Sequence, residues 1–466
     1  MKLIQKVNLK SFLKKYLVFL IPILILVVGT TLGLIFILSS NKTSSQGESY
    51  DKFLLEIYDQ INEYYWEKTS EEQIANLYKL ATEKITNKPQ ELKIIPSQNP
   101  EPTQNLNLLP ALNSETSPKK DSPEKKALRQ MLSNILSGMS EEEKKTFSVD
   151  LASAVLANLQ PFGRSGLYSA KQEQALKNTV DNVNPEKDLY ADLGLEKGAS
   201  ASAINSSFDK LSKELEKDNA PEAKEKLEKV TYAFDTLKKE ESKQLYDEKR
   251  IEPTVFSQYY GRDIVYIRFL KYSPTTYDEF LSLVKSFEKS GPTSMIFDLR
   301  QNIGGAIDFL PYLLGNFIGK DIYAYDFFAK GQNKPFRTIY DQEKGLKQFK
   351  NVAILIDGQT QSSAELMASV LKKFKYGVIV GSTSKGWGTV ERIFPISNQI
   401  SKDETFSIFL VHHLTIRDDG QPIEGKGVEP NISTTDFEFD SKLSAQFKYP
   451  EFERVLKQVL KSPIKN

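Results

Sequence analysis

The side chains able to do chemistry cluster between Met295 and Pro430. Val352-Ala-Ile-Leu-Ile, a buried strand by composition, runs into Asp357-Gly-Gln-Thr-Gln-Ser-Ser-Ala-Glu. Ser362 and Ser363 therefore stand where a strand turns into a helix. A hydroxyl at that place is exposed, and the helix N-terminus stabilises negative charge developing beside it, which suits a nucleophile. The competing reading is an ordinary N-cap for either serine. Met295-Ile-Phe-Asp-Leu-Arg-Gln-Asn-Ile-Gly-Gly puts the tandem glycines Gly304 and Gly305 after another apolar strand. Side-chain-free residues let backbone N–H groups approach a ligand closely; the plainer reading is a tight turn. The chain has no cysteine and two histidines, the adjacent His412 and His413. Thiol nucleophiles, disulfides and thiolate or His-rich metal centres are excluded, and imidazole catalysis would have to use one of these two residues. No metal and no cofactor is expected.

The elements that must position these residues follow from hydrophobic patterning. Ile264-Val-Tyr-Ile-Arg-Phe, residues 294–299 and residues 352–356 read as strands. Residues 275–289, 306–317 and 364–374 read as helices between and after them. This alternation predicts an α/β fold with a mostly parallel or mixed sheet covered by helices. Residues 389–396 and 406–416 read as a hairpin around the polar turn 397–404. With that turn centred near Ser401, Glu391 falls opposite Val411 or His412. Gly420–Pro430 is a Gly-rich loop, and residues 436–466 form a tail with a final helix at 452–460.

The order of these blocks resembles the catalytic domain of the C-terminal processing peptidases, the tail-specific serine proteases of peptidase family S41. The resemblance covers residues 255–435. It rests on the Gly304-Gly305 turn, the Ser362 to Glu365 motif, Gly386-Trp-Gly-Thr-Val and Gly420-Gln-Pro-Ile-Glu-Gly-Lys-Gly-Val-Glu-Pro. It implies a ClpP/crotonase-like peptidase core acting on polypeptide. It also implies Ser362 as nucleophile, three residues before Glu365, with an oxyanion hole from the amide of Gly304 or Gly305 and that of Ser363. The family places its general base, a lysine, where this chain has Trp387, and an assisting glutamine where it has Glu391. An indole N–H only donates, so the family's Ser–Lys dyad cannot operate.

Three outcomes follow. Lys385, two residues earlier, could reach in as the base. A Ser–His–acid arrangement could replace the dyad, because cross-strand neighbours lie about 4.5–5.5 Å apart at Cβ. Glu391 would then hold His412, which accepts the proton from Ser362; a one-residue register shift would substitute His413. Asp418, Asp419 and Glu424 are alternative acids. The third outcome is a pseudoprotease that holds peptide without cutting it. The expected function is a serine endopeptidase of the C-terminal processing type with catalytic Ser362, His412 and Glu391; the alternative is a peptide-binding scaffold.

Upstream, residues 1–15 carry five lysines and no acid, and residues 16–40 hold an uncharged apolar run of about the ~20 residues a bilayer span requires. That run is too long for a typical cleaved signal. The lysine bias predicts a single-pass anchor in the cell membrane with the N-terminus in the cytoplasm and the catalytic domain outside. Residues 50–86 read as a helical lead-in or a membrane-proximal stalk, residues 87–126 as a disordered linker, and residues 127–183 as a helical segment. Residues 187–248 resemble a J domain through Asp188-Leu-Tyr-Ala-Asp-Leu-Gly-Leu, Val230-Thr-Tyr-Ala-Phe-Asp-Thr-Leu and Gln244-Leu-Tyr-Asp. That resemblance implies an all-α hairpin. The His-Pro-Asp turn of active J domains reads Glu216-Lys217-Asp218 here, so a scaffold or protein-contact role is expected in place of chaperone stimulation. Lys+Arg 62 against Asp+Glu 61 leaves no field that would attract nucleic acid.

Overall fold

A computed structural model describes residues 50–95, 121–218, 220–287, 291–417 and 419–462. The basic tail and the expected anchor at 16–40 lie outside these residues, as do Asp418 and most of the expected linker. Among the described residues no helix is long and apolar enough to cross a membrane.

Four helices come first: α1 (Tyr50–Tyr64), α2 (Glu71–Thr86), α3 (Pro123–Leu136) and α4 (Glu141–Ala157). Reciprocal capping boxes start two of them, Ser70 with Gln73 and Ser140 with Glu143. Phe53, Leu54, Ile57, Tyr58 and Ile61 form the buried stripe of α1. It packs into one core with α2–α4 and with Phe394, Ile396, Phe406, Ile408 and Leu410 of the later hairpin. The lead-in is therefore part of the peptidase body and not a detached stalk. After α4 the chain forms strand β1 (Gly166–Ser169) and helix α5 (Ala170–Asp181). The strand corrects the all-helical expectation for 127–183. β1 adds to the hairpin opposite Phe406–Phe409, with Tyr168 stacked on Phe409 at 4.9 Å.

The J-like module comprises α6 (Leu189–Asp192), α7 (Ala201–Leu215), α8 (Pro221–Leu237) and α9 (Glu240–Lys249). It closes around Tyr190, Ile204, Val230, Ala233 and Tyr246, with Phe208 stacked on Phe234 at 3.9 Å. Its two ends meet. Val183 bridges Ile251, Glu252 N–H donates to Asn182 O (3.0 Å), and Asn182 Nδ2 donates to Glu252 O (2.9 Å).

The remaining elements are β2 (Val255–Tyr260), β3 (Ile264–Phe269), α10 (Thr276–Ser286), β4 (Ser294–Asp298), α11 (Leu310–Ile318), β5 (Tyr323–Ala329), β6 (Gln332–Arg337), α12 (Lys344–Lys347), β7 (Asn351–Ile356), α13 (Ser363–Lys373), β8 (Val378–Gly381), β9 (Thr389–Pro395), β10 (Phe406–Ile416), β11 (Ile432–Ser433), α14 (Phe439–Gln446) and α15 (Pro450–Lys461). They build two sheets. One runs β11-β8-β7-β4-β3-β2 and is parallel except for the edge strand β2. Its residues alternate between faces as a pleated strand requires. Val265, Ile267, Phe297, Ile354 and Ile356 meet α10, α11 and α13. Ile264, Ile296, Ala353 and Leu355 meet α14 and α15. The other sheet, β1-β10-β5-β6 with β9 also on β10, is wholly antiparallel. The α/β expectation holds, with the antiparallel second sheet as the difference from a mostly parallel fold.

Candidate active site

The turn that carries Ser362, the expected nucleophile, is built at the carboxyl end of β7. Asp357 Oδ1 accepts the N–H groups of Gln301, Gln359 and Thr360, each at 3.0 Å, so it ties the Gly-Gly turn to this one. Gln361 N–H then donates to Asn302 O at 2.9 Å. Ser362 follows with φ 57° and ψ −125°, a conformation non-glycine residues avoid. Such backbone costs about 1–3 kcal/mol and persists only when its surroundings over-determine it. Those surroundings are visible. Glu365, fully buried, accepts Ser362 N–H at 2.8 Å, Trp387 N–H at 2.8 Å, Gly386 N–H at 2.6 Å and Ser384 Oγ–H at 2.6 Å. Burial pushes its carboxyl above the usual range while these donors pull it back. One carboxyl thus clamps the nucleophile turn against the 384–387 loop.

Gly304 closes the other side. Its φ is +81°, and a Cβ there would lie 2.6 Å from Ser362 Cβ and 3.0 Å from Ser363 N. Only glycine permits this approach. Gly304 N–H is already donated to Asn302 Oδ1 at 2.9 Å. The N–H groups of Gly305 and Ser363 have no hydrogen-bond partner among the described residues, and Ser363 Oγ donates to Gly305 O at 3.0 Å, joining the two turns. Of the two glycines considered for oxyanion binding, Gly305 has the available amide and Gly304 provides the clearance. Two free amides on either side of a strained serine can hold a developing oxyanion.

Trp387 stands where the resemblance to the processing peptidases places a lysine. Its N–H shares Glu365 Oε2 with Ser362 N–H, so the two backbones lie within two hydrogen bonds of each other. The indole N–H donates to Glu391 Oε1 at 3.0 Å, and Thr389 Oγ donates to the same oxygen. Desolvation pushes the Glu391 carboxyl up, and the two donors and Arg164 pull it down. The guanidinium of Arg164 lies 3.4 Å from the indole centroid. It is held there by Glu424, which accepts from Nη2 at 3.1 Å and from Nε at 3.3 Å and takes Gly388 N–H on its other oxygen at 2.8 Å. Lys385 is exposed, its N–H bonded to Thr360 O at 2.9 Å and its Nζ 5.4 Å from the indole centroid.

The hairpin pairs Glu391 with Val411, inside the expected register. His412 is then the extra residue of a β-bulge, because Val390 pairs with His413. The bulge turns both imidazoles toward each other: His412 Nδ1 and His413 Nδ1 are hydrogen-bonded, and Phe327 lies 5.6 Å from the His413 ring. Burial, then His413, Arg392 and Lys334, push His412 down to about 4, and burial with Lys334 lowers His413. No hydrogen bond joins either imidazole to Ser362 or to Glu391. The structure brings Ser362, Ser363, Gly304, Gly305 and the Trp387 loop together, and does not bring His412, His413 and Glu391 into a relay with Ser362. Asp419 is paired with Arg417 (2.6 Å), away from this constellation.

Sequence reasoning missed Arg164. It lies in Gln160-Pro-Phe-Gly-Arg-Ser-Gly, more than two hundred residues before Trp387, and nothing local marks it. Gln160 O accepts from Tyr65 Oη (2.6 Å) and Trp66 Nε1 (2.7 Å), and Val411 N–H donates to Ser165 Oγ at 3.2 Å. The loop that carries Arg164 is fixed at both ends.

A strained serine between free amides, at the end of a parallel strand, is an arrangement that suits acyl-transfer chemistry. Residues 263–434 match Peptidase family S41 and residues 188–247 match the DnaJ domain. The chain is similar to the carboxy-terminal processing protease CtpA of Bacillus subtilis, 30% identical over 181 residues, 38% of this chain and 36% of that protein. It is also similar to CtpB of the same organism, 26% identical over 191 residues, 41% of this chain and 38% of that protein. It thus spans little more than a third of the length of these curated relatives. Among solved structures, the photosystem II D1 C-terminal processing protease aligns at a TM-score of 0.33 and 15% identity, over 39% of this chain and 48% of that one. Residues 263–434 are a peptidase family S41 domain, of the kind found in carboxy-terminal processing serine peptidases, and residues 188–247 are a DnaJ domain.

Proposed function

We propose that this chain is a serine endopeptidase of the carboxy-terminal processing type, acting on polypeptide from the outer side of a membrane to which residues 16–40 anchor it. The observation that carries the reading is the left-handed Ser362 backbone held by Glu365 between the free amides of Gly305 and Ser363. Ser362 Oγ attacks the scissile carbonyl carbon and its proton passes to a base. The carbonyl oxygen becomes an oxyanion received by the two amides, and the amine leaves with that proton. The base in this reading is Lys385, the exposed amine whose own N–H ties it to the nucleophile turn. The mutually bonded imidazoles take no part. The DnaJ domain, without His-Pro-Asp, serves as a spacer or protein-contact module.

A second reading has its own support: the indole clamped between Arg164 and Glu391 fills the base position, as in a module that holds peptide without cutting it. A fluorophosphonate probe on the full chain separates the two. Labelling that vanishes in Ser362→Ala and falls at least tenfold in Lys385→Gln supports the peptidase. Absence of labelling from pH 6 to 10 removes it. Membrane fractionation of the full chain against one starting at Tyr50 tests the anchor.

A further inference from the structure

Arg164 comes from outside the S41 domain, yet its guanidinium stacks on Trp387, whose N–H shares Glu365 Oε2 with Ser362 N–H. We propose that Arg164 is a specificity-determining residue that receives a carboxylate of the polypeptide substrate beside Ser362. The inference rests on the reading that the site takes polypeptide, and holds whether or not the peptide is cut.

A guanidinium has five N–H donors in one plane. Arg164 directs Nε and Nη2 to a single oxygen of Glu424, and Nη1 has no hydrogen-bond acceptor among the described residues. Its side chain is 19% exposed, and one face of the guanidinium lies against the indole. A partly desolvated guanidinium held flat on an aromatic ring is suited to receive a carboxylate through charge-assisted hydrogen bonds.

Glu424 pairs with Arg164 through one oxygen only, which leaves the Nη1 edge for a second carboxylate. Glu424 has its second oxygen on Gly388 N–H. Glu391 receives Trp387 Nε1 and Thr389 Oγ and makes no hydrogen bond to Arg164. Glu365 is saturated by the backbone and Ser384. The rigid mounting also matters. Tyr65 and Trp66 hold Gln160 O, and Ser165 holds Val411 N–H. The guanidinium is presented without the ordering cost a free arginine would incur on binding.

The test measures anisotropy of fluorescent peptides on the full chain carrying Ser362→Ala, so that nothing is hydrolysed. Three peptides share one apolar sequence: a free C-terminal carboxylate, its amide, and the amide with one internal glutamate. The expected result is that at least one carboxylate-bearing peptide binds tenfold or more tighter than the plain amide. Which one it is identifies the terminus or the acidic side chain as the source. Arg164→Gln should erase that preference and leave the plain amide within twofold; Arg164→Lys should restore part of it. Equal affinity for all three peptides overturns the proposal, as does an Arg164→Gln that weakens all three equally, which is the signature of a merely structural residue. Binding of no peptide overturns this and the polypeptide reading together. A carboxylate preference without probe labelling of the parent chain leaves this proposal standing and removes only the peptidase.

Discussion

Gly304→Ala probes the nucleophile turn with a single methyl. Two costs can be separated. The first is backbone: φ is +81°, and an L-residue there costs roughly 1–2 kcal/mol. The second is contact. The new carbon would sit 2.6 Å from Ser362 Cβ, 2.9 Å from Gln361 O and 3.0 Å from Ser363 N. None of these is the far end of a flexible side chain, so either the Gly-Gly turn or the serine must move. Displacement of a reacting group by about 1 Å can cost on the order of 100-fold in rate. Gly198→Ala is the matched control, because its φ is +83° and nothing lies within 4 Å of its added carbon. Both variants should lose a similar 1–2 kcal/mol from the backbone, read by urea unfolding. Only Gly304→Ala should also lose about 100-fold in fluorophosphonate labelling rate. Equal labelling in the two variants would refute the claim that Gly304 sets the position of Ser362.

Two further outcomes follow from the same geometry. Trp387→Lys returns an amine to the base position with Glu391 as its partner, and should raise the labelling rate at least tenfold; an unchanged rate would mean that the proton acceptor does not limit the reaction. His412 is pushed from an ordinary 6.5 down to about 4, so the unfolded chain binds a proton in this window that the folded chain refuses, and stability falls as pH drops from about 6.5 toward 4. His412→Gln should remove roughly 2 kcal/mol of that acid-side loss, allowing for partial exposure, and leave labelling at pH 7 within twofold; identical pH dependence of urea unfolding in parent and variant would contradict the assigned burial.

The sequence carried the local rules well. Apolar runs ending in Asp298 and Ile356 became central strands, because strands buried on both faces need continuous hydrophobic residues. The serine at the strand-to-helix turn was legible for the same reason, and the cross-strand partner of Glu391 was legible to within one residue, Val411 or His412. The bulge at His412 was not. Its extra residue reverses the facing assumed from strict alternation, and no turn residue near Val411 announces it. Strand β1 and Arg164 were hidden because their significance is wholly long-range. Gly166–Ser169 pairs with Phe406–Phe409, and the Arg164 guanidinium meets Trp387 and Glu424.

The meeting of Asn182 with Glu252 makes the DnaJ domain a cassette: chain leaves and re-enters the host at one point. Closing a gap of that kind costs little entropy, so a short splice joining residues 182 and 252 is expected to leave the host fold intact. An ancestor could have exchanged one such insert for another without disturbing the serine and its neighbours, and a protein engineer can repeat that exchange with a domain chosen for its own ligand.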